Sequence, residues 1–250
     1  MIKPLCLLFL LFPLYAQAVD NGAGQAINPK RDTLSTGLSG HVRDAHSHRD
    51  LPARVVCRDQ NGVVHGGYYK NHVEGFFTQD GYFQIPLPPG EYDVEVFHGL
   101  DYLSQSRRIV IVEGQVVKQE FNLDQWLPLR QLGWVNGDGH AHLYTDRRCD
   151  DEMLATVRTI CLAQGVDFLC TNQGWAGYDD EHWRHGYDKF SDSDFKLFYG
   201  AEMPKYRTGH IWWLGLESTH GYFSAAMDSM YENRYYKSSD MPHWDFNHLP

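Results

Sequence analysis

The chain carries two imidazoles separated by a single residue in the segment from Gly137 to His142, which reads GDGHAH. Residues two apart in an extended strand point to the same face, so His140 and His142 can direct both rings toward one point. Neutral imidazole binds zinc, manganese and iron, and the neighbouring glycines let a cation approach the backbone. The spacing therefore predicts half of a divalent metal site.

A second pair of histidines with the same spacing, His46 and His48, limits what the pattern alone can establish. With 14 histidines in 250 residues, about one such pair is expected by chance. His46 and His48 fall between two predicted strands, where polar residues are common in turns. We therefore interpret them as turn residues and take His140 and His142 as the metal-binding pair.

The sequence from Gly133 onward predicts alternating strands and helix. Apolar residues recur at helical spacing over 150–164, and Gly165 follows as a helix stop. Apolar runs of strand length flank this helix, as in a parallel sheet that is buried on both faces. The predicted strands are 133–140, 166–171, 195–201 and 210–216. Such an order is typical of an α/β barrel or a doubly wound sheet.

Polar residues lie beside the ends of these predicted strands. In α/β barrels, functional side chains gather at the C-terminal ends of the strands. Taken singly, Glu202 is interpretable as a solvated loop acid and His210 as a core histidine, but together with the histidine pair they form a nitrogen and oxygen ligand set. The predicted metal ligands are His140, His142, Glu202 and His210, and the possible site neighbours are Asp146, Asn172 and Gln173.

The preceding part of the chain predicts a small β-sandwich over 38–123, followed by a linker over 124–132. Its predicted strands are 38–43, 53–58, 82–86, 92–97, 108–112 and 116–123. The clearest predicted hairpin runs from Gly81 to Val96, with prolines and Gly90 at the turn. In this hairpin, Tyr92, Val94 and Val96 are expected to line one face.

These motifs, in this order, resemble the PHP (polymerase and histidinol phosphatase) metal-dependent hydrolases, in the carbaryl-hydrolase-like CehA/McbA branch. The matching segments are Gly133-Trp134, the GDGHAH segment, Gly165 to Leu169, Gly200 to Glu202 and Gly209-His210. The sandwich resembles the transthyretin-like module that typically precedes such a barrel. The resemblance covers about residues 38–216 and implies the first half of a distorted PHP-type (β/α) barrel over 133–250. It also implies hydrolysis of phosphoester or carbamate, amide or ester bonds by metal-activated water.

The chain departs from the family pattern in two ways. Asn172 and Gln173 stand where the family has aspartate and histidine, and neutral amides are poorer metal ligands, so at least one metal position is expected to be weakened. The chain ends at Pro250, whereas an eight-unit barrel takes about 250 residues by itself. The chain thus looks C-terminally truncated, and we expect these 250 residues alone to be inactive.

The N-terminal sequence predicts export. Residues 1–18 have the features of a signal peptide, with Lys3 before an apolar run over 5–15 and a cleavage site at Ala16 to Ala18. A flexible lead-in over 19–37 then begins the mature chain, which is expected in the periplasm or outside the cell. No later segment is expected to anchor the mature chain in a membrane.

The composition limits the partners and the thiol chemistry. A net charge of −10 disfavours a nucleic-acid partner. The resemblance to the PHP hydrolases implies a small-molecule substrate, and the oligomeric state stays open. No C-x-x-C spacing occurs, which argues against a zinc knuckle or a redox motif. Disulfides and buried free thiols both remain open for Cys57, Cys149, Cys161 and Cys170.

The aromatic residues of the last third of the chain suggest a second function of a different class. An aromatic rim can hold a flat ligand such as a sugar, although aromatic side chains also dominate protein cores. The tryptophans concerned are Trp175, Trp183, Trp212, Trp213 and Trp244. The alternative is therefore a non-catalytic exported binding protein on the same scaffold, which would keep its ligand affinity in the presence of a chelator.

Export is testable directly. We expect the exported protein to begin at Val19, because Ala16 and Ala18 supply the small side chains that signal peptidases require. N-terminal sequencing of the protein recovered from the periplasm or the medium checks this prediction. Recovery of exported protein that still begins at Met1 would contradict it.

Overall fold

A computed structural model of the chain describes residues 34–65, 68–69, 73–141, 151–172, 187–202 and 212–214. The predicted signal peptide, 1–18, lies outside these residues. The strands are β1 (Gly37–Asp44), β2 (Ala53–Asp59), β3 (Val64–His65), β4 (Tyr68–Tyr69), β5 (Val73–Glu74), β6 (Phe76–Thr78), β7 (Tyr82–Pro86), β8 (Gly90–Phe97), β9 (Gln105–Ile111), β10 (Val116–Leu123), β11 (Gly137–Ala141), β12 (Phe168–Asn172), β13 (Lys196–Glu202) and β14 (Trp212–Leu214). The helix α1 spans Asp151–Ala163. Within the described ranges, no helix is long and apolar enough to cross a membrane.

Eight of the first ten strands form the β-sandwich that the alternating pattern predicts, and β4 and β5 pair with each other in a separate two-stranded sheet. One sheet has the order β10-β1-β7, and the other has the order β3-β2-β8-β9 with β6 beside β2. Alternate residues of β1, β2 and β8 face inward because successive side chains of a strand point to opposite faces. The fully buried side chains between the sheets include Leu38, Val42, Val55, Ile85, Val94, Val96, Phe121 and Leu123.

The predicted hairpin from Gly81 to Val96 is wrong. Strand β7 pairs with β1 in one sheet, whereas β8 pairs with β2 and β9 in the other. Proline has no backbone N–H and cannot donate a hydrogen bond to a neighbouring strand. The prolines between β7 and β8 are therefore compatible with a connection that crosses between sheets as well as with a hairpin turn. The Tyr92 hydroxyl donates a 2.9 Å hydrogen bond to the Pro88 carbonyl, which fixes this crossover. Tyr92, Val94 and Val96 do line the core, as predicted.

The second sheet has the order β11-β12-β13-β14. Strands β11, β12 and β13 are parallel, and α1 connects β11 to β12, which confirms the predicted strand-helix-strand unit. Gly165 follows α1 with a φ of +66°, the left-handed conformation expected just past the end of a helix. The parallel order expected of a barrel does not extend to β14, which pairs antiparallel with β13.

Helix α1 packs between the second sheet and the sandwich. Its buried face joins a cluster with Leu169 of β12 and Leu197 of β13, and the same cluster contains Phe77 from β6 of the sandwich. The helical residues of the cluster are Met153, Leu154, Val157, Ile160, Cys161 and Ala163. Because one apolar core holds side chains from both parts, the sandwich and the strand-helix-strand unit are joined through α1.

The backbones of the two parts also meet at a pair of glycines. Gly99, after β8, has a φ of +62°, and Gly165, after α1, has a φ of +66°. A Cβ atom added to Gly165 would lie 2.7 Å from the Cα atom of Gly99. Any side chain at Gly165 would therefore meet backbone, which cannot rotate away as a side chain can.

Substitution of Gly165 tests this contact, with Gly62 as the matched control. Gly62 also has a positive φ, +81°, but no atom lies within 4 Å of the position that a Cβ atom would take there. We expect Gly62→Ala to lower the free energy of unfolding by about 1 kcal/mol, the cost of placing a Cβ atom on a left-handed backbone. Gly165→Ala should cost roughly 1–3 kcal/mol more because of the backbone clash. Chemical denaturation measures both values, and equal losses would contradict the contact.

Candidate metal centre

Three strands of the second sheet end at one edge because β11, β12 and β13 run parallel. Asn172 is the last residue of β12 and lies opposite Gly200 of β13, two residues before Glu202. His140 is the penultimate residue of β11, the neighbouring strand. The register therefore brings three of the predicted positions to the C-terminal edge of the sheet, although only for His140 is the side chain described.

The other predicted site residues are not placed. His142, Asp146, Gln173 and His210 lie outside the described residues, as do Trp175, Trp183 and Trp244. Among the side chains that are described, no group of three or more histidine, cysteine, aspartate or glutamate residues is arranged to hold a metal ion. The four-residue ligand set thus stays a prediction, as does the aromatic rim.

The first glycine of the GDGHAH segment has a packing role. A Cβ atom on Gly137 would lie 2.2 Å from the ring of Phe168, its partner on β12. The glycine is therefore needed for the close approach of β11 and β12. Between Asp138 and Ala141 the register shifts, as in a β-bulge, so β11 is irregular where His140 stands. Bulges re-aim side chains and are common beside functional sites.

Asp138 lies two residues before His140 and is not among the predicted site residues. Its side chain is 8% exposed, and its Oδ1 accepts a 2.8 Å hydrogen bond from the backbone N–H of His140. Its Oδ2 is buried and has no hydrogen-bond partner in the described part of the chain. Burial raises the pKa of Asp138, and the hydrogen bond from His140 together with the charge of the His140 ring offsets part of that rise.

A buried hydroxyl pair lies at the same edge. The side-chain oxygens of Thr171 on β12 and Tyr187 hydrogen-bond to each other, and both residues are buried. Thr171 is the partner of Ala141 on β11, so this pair sits beside the strand end that carries His140. Tyr187 lies 16 residues after Thr171, and no periodic pattern links the two positions, so neither hydroxyl stands out in the sequence.

The second histidine pair lies in a turn, as predicted. The backbone N–H groups of His46 and Ser47 donate hydrogen bonds to Oδ1 of Asp44, at 2.9 and 2.6 Å, and the Tyr102 hydroxyl donates one to Oδ2 at 2.7 Å. His48 occupies the left-handed region with a φ of +58°. These contacts make the segment a structural turn centred on a buried carboxylate.

Three of the four cysteines in the predicted mature chain are described, and Cys57, Cys161 and Cys170 are all buried. Cys57 and Cys161 are free thiols, whereas Cys149 lies outside the described residues. Burial raises the pKa of Cys57 to about 12 and also raises the pKa of Cys161. Neither of these two thiols is a nucleophile at neutral pH, because the thiolate is the reactive form.

No family model matches this chain, and no curated protein matches it. Solved structures with local similarity include the BcpA* major pilin subunit of Bacillus cereus, at 20% identity and a TM-score of 0.29, over 36% of this chain and 30% of that one. Another is the group B streptococcus pilus 2b backbone protein, at 16% identity and a TM-score of 0.27, over 35% of this chain and 40% of that one. The chain thus spans less than half of either protein, and at these TM-scores we infer no shared fold or function.

The buried Asp44 carboxylate predicts a pH-dependent stability. Burial by itself would raise its pKa, but the hydrogen bonds from Ser47, Tyr102 and His46 outweigh burial and lower it from 3.8 to about 2. A depressed pKa stabilises the fold above the ordinary value of 3.8, and this contribution is lost as the pH falls toward 2. A shift of this size corresponds to about 2 kcal/mol.

We therefore expect Asp44→Asn to lower the free energy of unfolding by about 2 kcal/mol at pH 6. The difference from the wild-type protein should shrink between pH 4 and pH 2, because the unfolded wild-type chain takes up a proton at Asp44 below about pH 3.8, whereas the folded protein does so only near pH 2. The control is Asp93→Asn, which removes a 64% exposed partner of Arg108 and should change stability by less than about 1 kcal/mol. Denaturant titrations across this pH range measure both effects, and a loss for Asp44→Asn that persists at pH 2 would refute the assignment.

Proposed function

We propose that this protein is an exported metal-dependent hydrolase of the PHP type. Its substrate would be a small molecule with a phosphoester bond or a carbamate, amide or ester bond. One observation carries the proposal: the parallel register of β11, β12 and β13 gathers His140, Asn172 and Glu202 at the C-terminal edge of one sheet. That edge is where α/β barrels build their active sites. On this proposal, the second sheet is the first half of a (β/α) barrel.

The residue types at this edge suit a divalent cation. His140, His142 and His210 would supply imidazole nitrogens and Glu202 a carboxylate, a mixed set that zinc, manganese and iron accept. The buried Oδ2 of Asp138 has no hydrogen-bond partner among the described residues, and it lies on the same strand as His140, so it adds an oxygen that a cation could bind. When bound, the metal would polarise the substrate and lower the pKa of a water molecule.

The protein would contribute orientation. The register shift between Asp138 and Ala141 would redirect the side chains at the end of β11, and the Asp138 carboxylate accepts a hydrogen bond from the backbone N–H of His140. Asn172 and Gln173, where the PHP resemblance would place an aspartate and a histidine, are poor metal ligands but good hydrogen-bonding groups. On this proposal they hold substrate oxygens and leave a site with fewer metal ions.

Metal content tests the function. We expect the full chain to bind zinc, manganese or iron stoichiometrically, and the double variant His140→Ala, His142→Ala to lose that metal because two imidazoles disappear. The matched control is His46→Ala, His48→Ala, which removes two imidazoles with the same spacing from the turn at Asp44. Elemental analysis after gel filtration measures both, and circular dichroism monitors the sandwich.

Three outcomes would reject the metal-dependent assignment. The metal could be unchanged in the variant of His140 and His142, or lost only in the variant of His46 and His48, or missing from the wild-type protein after incubation with each cation. A wild-type protein that holds a carbohydrate or another flat ligand with equal affinity in chelator would instead support a non-catalytic binding protein.

A further inference from the structure

Asp138 and Asp44 are two buried aspartates in different electrostatic situations. Asp44 is 6% exposed and Asp138 is 8% exposed, so both have lost most contact with water. Asp44 accepts hydrogen bonds on both carboxylate oxygens, from two backbone amides and the Tyr102 hydroxyl. Asp138 accepts one on Oδ1, from His140, and none on Oδ2 among the described residues.

A buried carboxylate oxygen without a hydrogen-bond partner destabilises the folded state, because it loses its hydrogen bonds to water and forms none in the protein. Four buried side-chain atoms in the described ranges lack a hydrogen-bond partner, and Asp138 Oδ2 is the carboxylate oxygen among them. His140 acts electrostatically on Asp138, and Asp138 acts in turn on the buried Cys161 of α1. Neither interaction gives Oδ2 of Asp138 a hydrogen bond among the described residues.

A divalent cation is a suitable partner for Oδ2 of Asp138. Asp138 stands two residues before His140 on β11, and its other oxygen already holds the His140 backbone. Carboxylate oxygen is a good ligand for the same divalent metals that imidazole binds. A cation near His140 would therefore satisfy the unpaired oxygen of Asp138.

We propose that Asp138 is a further ligand of the divalent cation at this edge, with Oδ2 on the cation and Oδ1 on the His140 amide. The inference rests on the proposed function, since it concerns the same cation. Asp138 would add a carboxylate from β11 to a set of proposed metal ligands in which Glu202 of β13 is the other carboxylate. Its Oδ1 accepts the hydrogen bond at the end of β11, and its Oδ2 would bind the cation and neutralise part of its charge.

The test compares Asp138→Asn with Asp44→Asn in the full chain. Asparagine keeps the size of the side chain and the acceptor for the backbone amide but removes the negative charge. Chelator-competition titrations with Zn²⁺ and Mn²⁺ measure affinity, and thermal unfolding with and without the cation measures stability. Asp138→Asn should weaken cation binding 10- to 100-fold and reduce the rise in Tm that the cation causes. Without cation its Tm should be equal to or above that of the wild-type protein, because the unpaired charge is gone.

Asp44→Asn should show the opposite pattern, with a lower Tm without cation and unchanged cation affinity. Should Asp138→Asn fail to fold, Asp138→Ser keeps an oxygen acceptor beside His140 in a smaller side chain and serves the same titration. Wild-type affinity in the Asp138 variant would overturn this inference and leave the proposed function standing. A wild-type protein that binds neither cation would overturn both, so the two failures are distinguishable.

Discussion

Helix α1 packs against both the parallel sheet and the β-sandwich, and the arrangement of the described structure depends on this double contact. A parallel sheet needs a cover for its apolar face, and here the cover is one helix whose buried side also meets Phe77 of the sandwich. The helix can approach that closely because its end turns through Gly165 against Gly99, where neither backbone carries a Cβ atom. Burial at this junction places Cys161 deep in the core, where burial and, to a smaller degree, the charge of Asp138 raise the pKa of its thiol.

Local periodicity predicted the elements well because alternation and helical spacing are properties of single segments. Strands β1, β2, β7 and β10 and helix α1 lie within one or two residues of their predicted limits. Pairing is a different matter. The prolines before Gly90 indicated a change of direction but not that β7 and β8 belong to different sheets. The direction of β14 also depends on its partner β13, which no pattern within the strand itself records.

The candidate site shows the same division between local and non-local information. His140 and its place near a strand end follow from spacing, and the turn at His46 and His48 follows from its position between strands. The burial of Asp138 does not follow from spacing, because aspartate side chains are mostly exposed in proteins. The structure buries this one, and its Oδ2 has no hydrogen-bond partner among the described residues. The hydrogen bond between Tyr187 and Thr171 is likewise a tertiary contact that no sequence pattern predicts.

The parallel pairing of β1 with β10 has a mechanical consequence. All eight residues of β1, from Gly37 to Asp44, face a partner on β10, from Val116 to Leu123. Because the two strands run the same way, the chain enters the sandwich at one end and leaves it toward the α/β sheet at the other, roughly 26 Å away for eight extended residues. Tension along the chain would therefore load the hydrogen bonds between β1 and β10 in shear, all together, instead of opening them one by one.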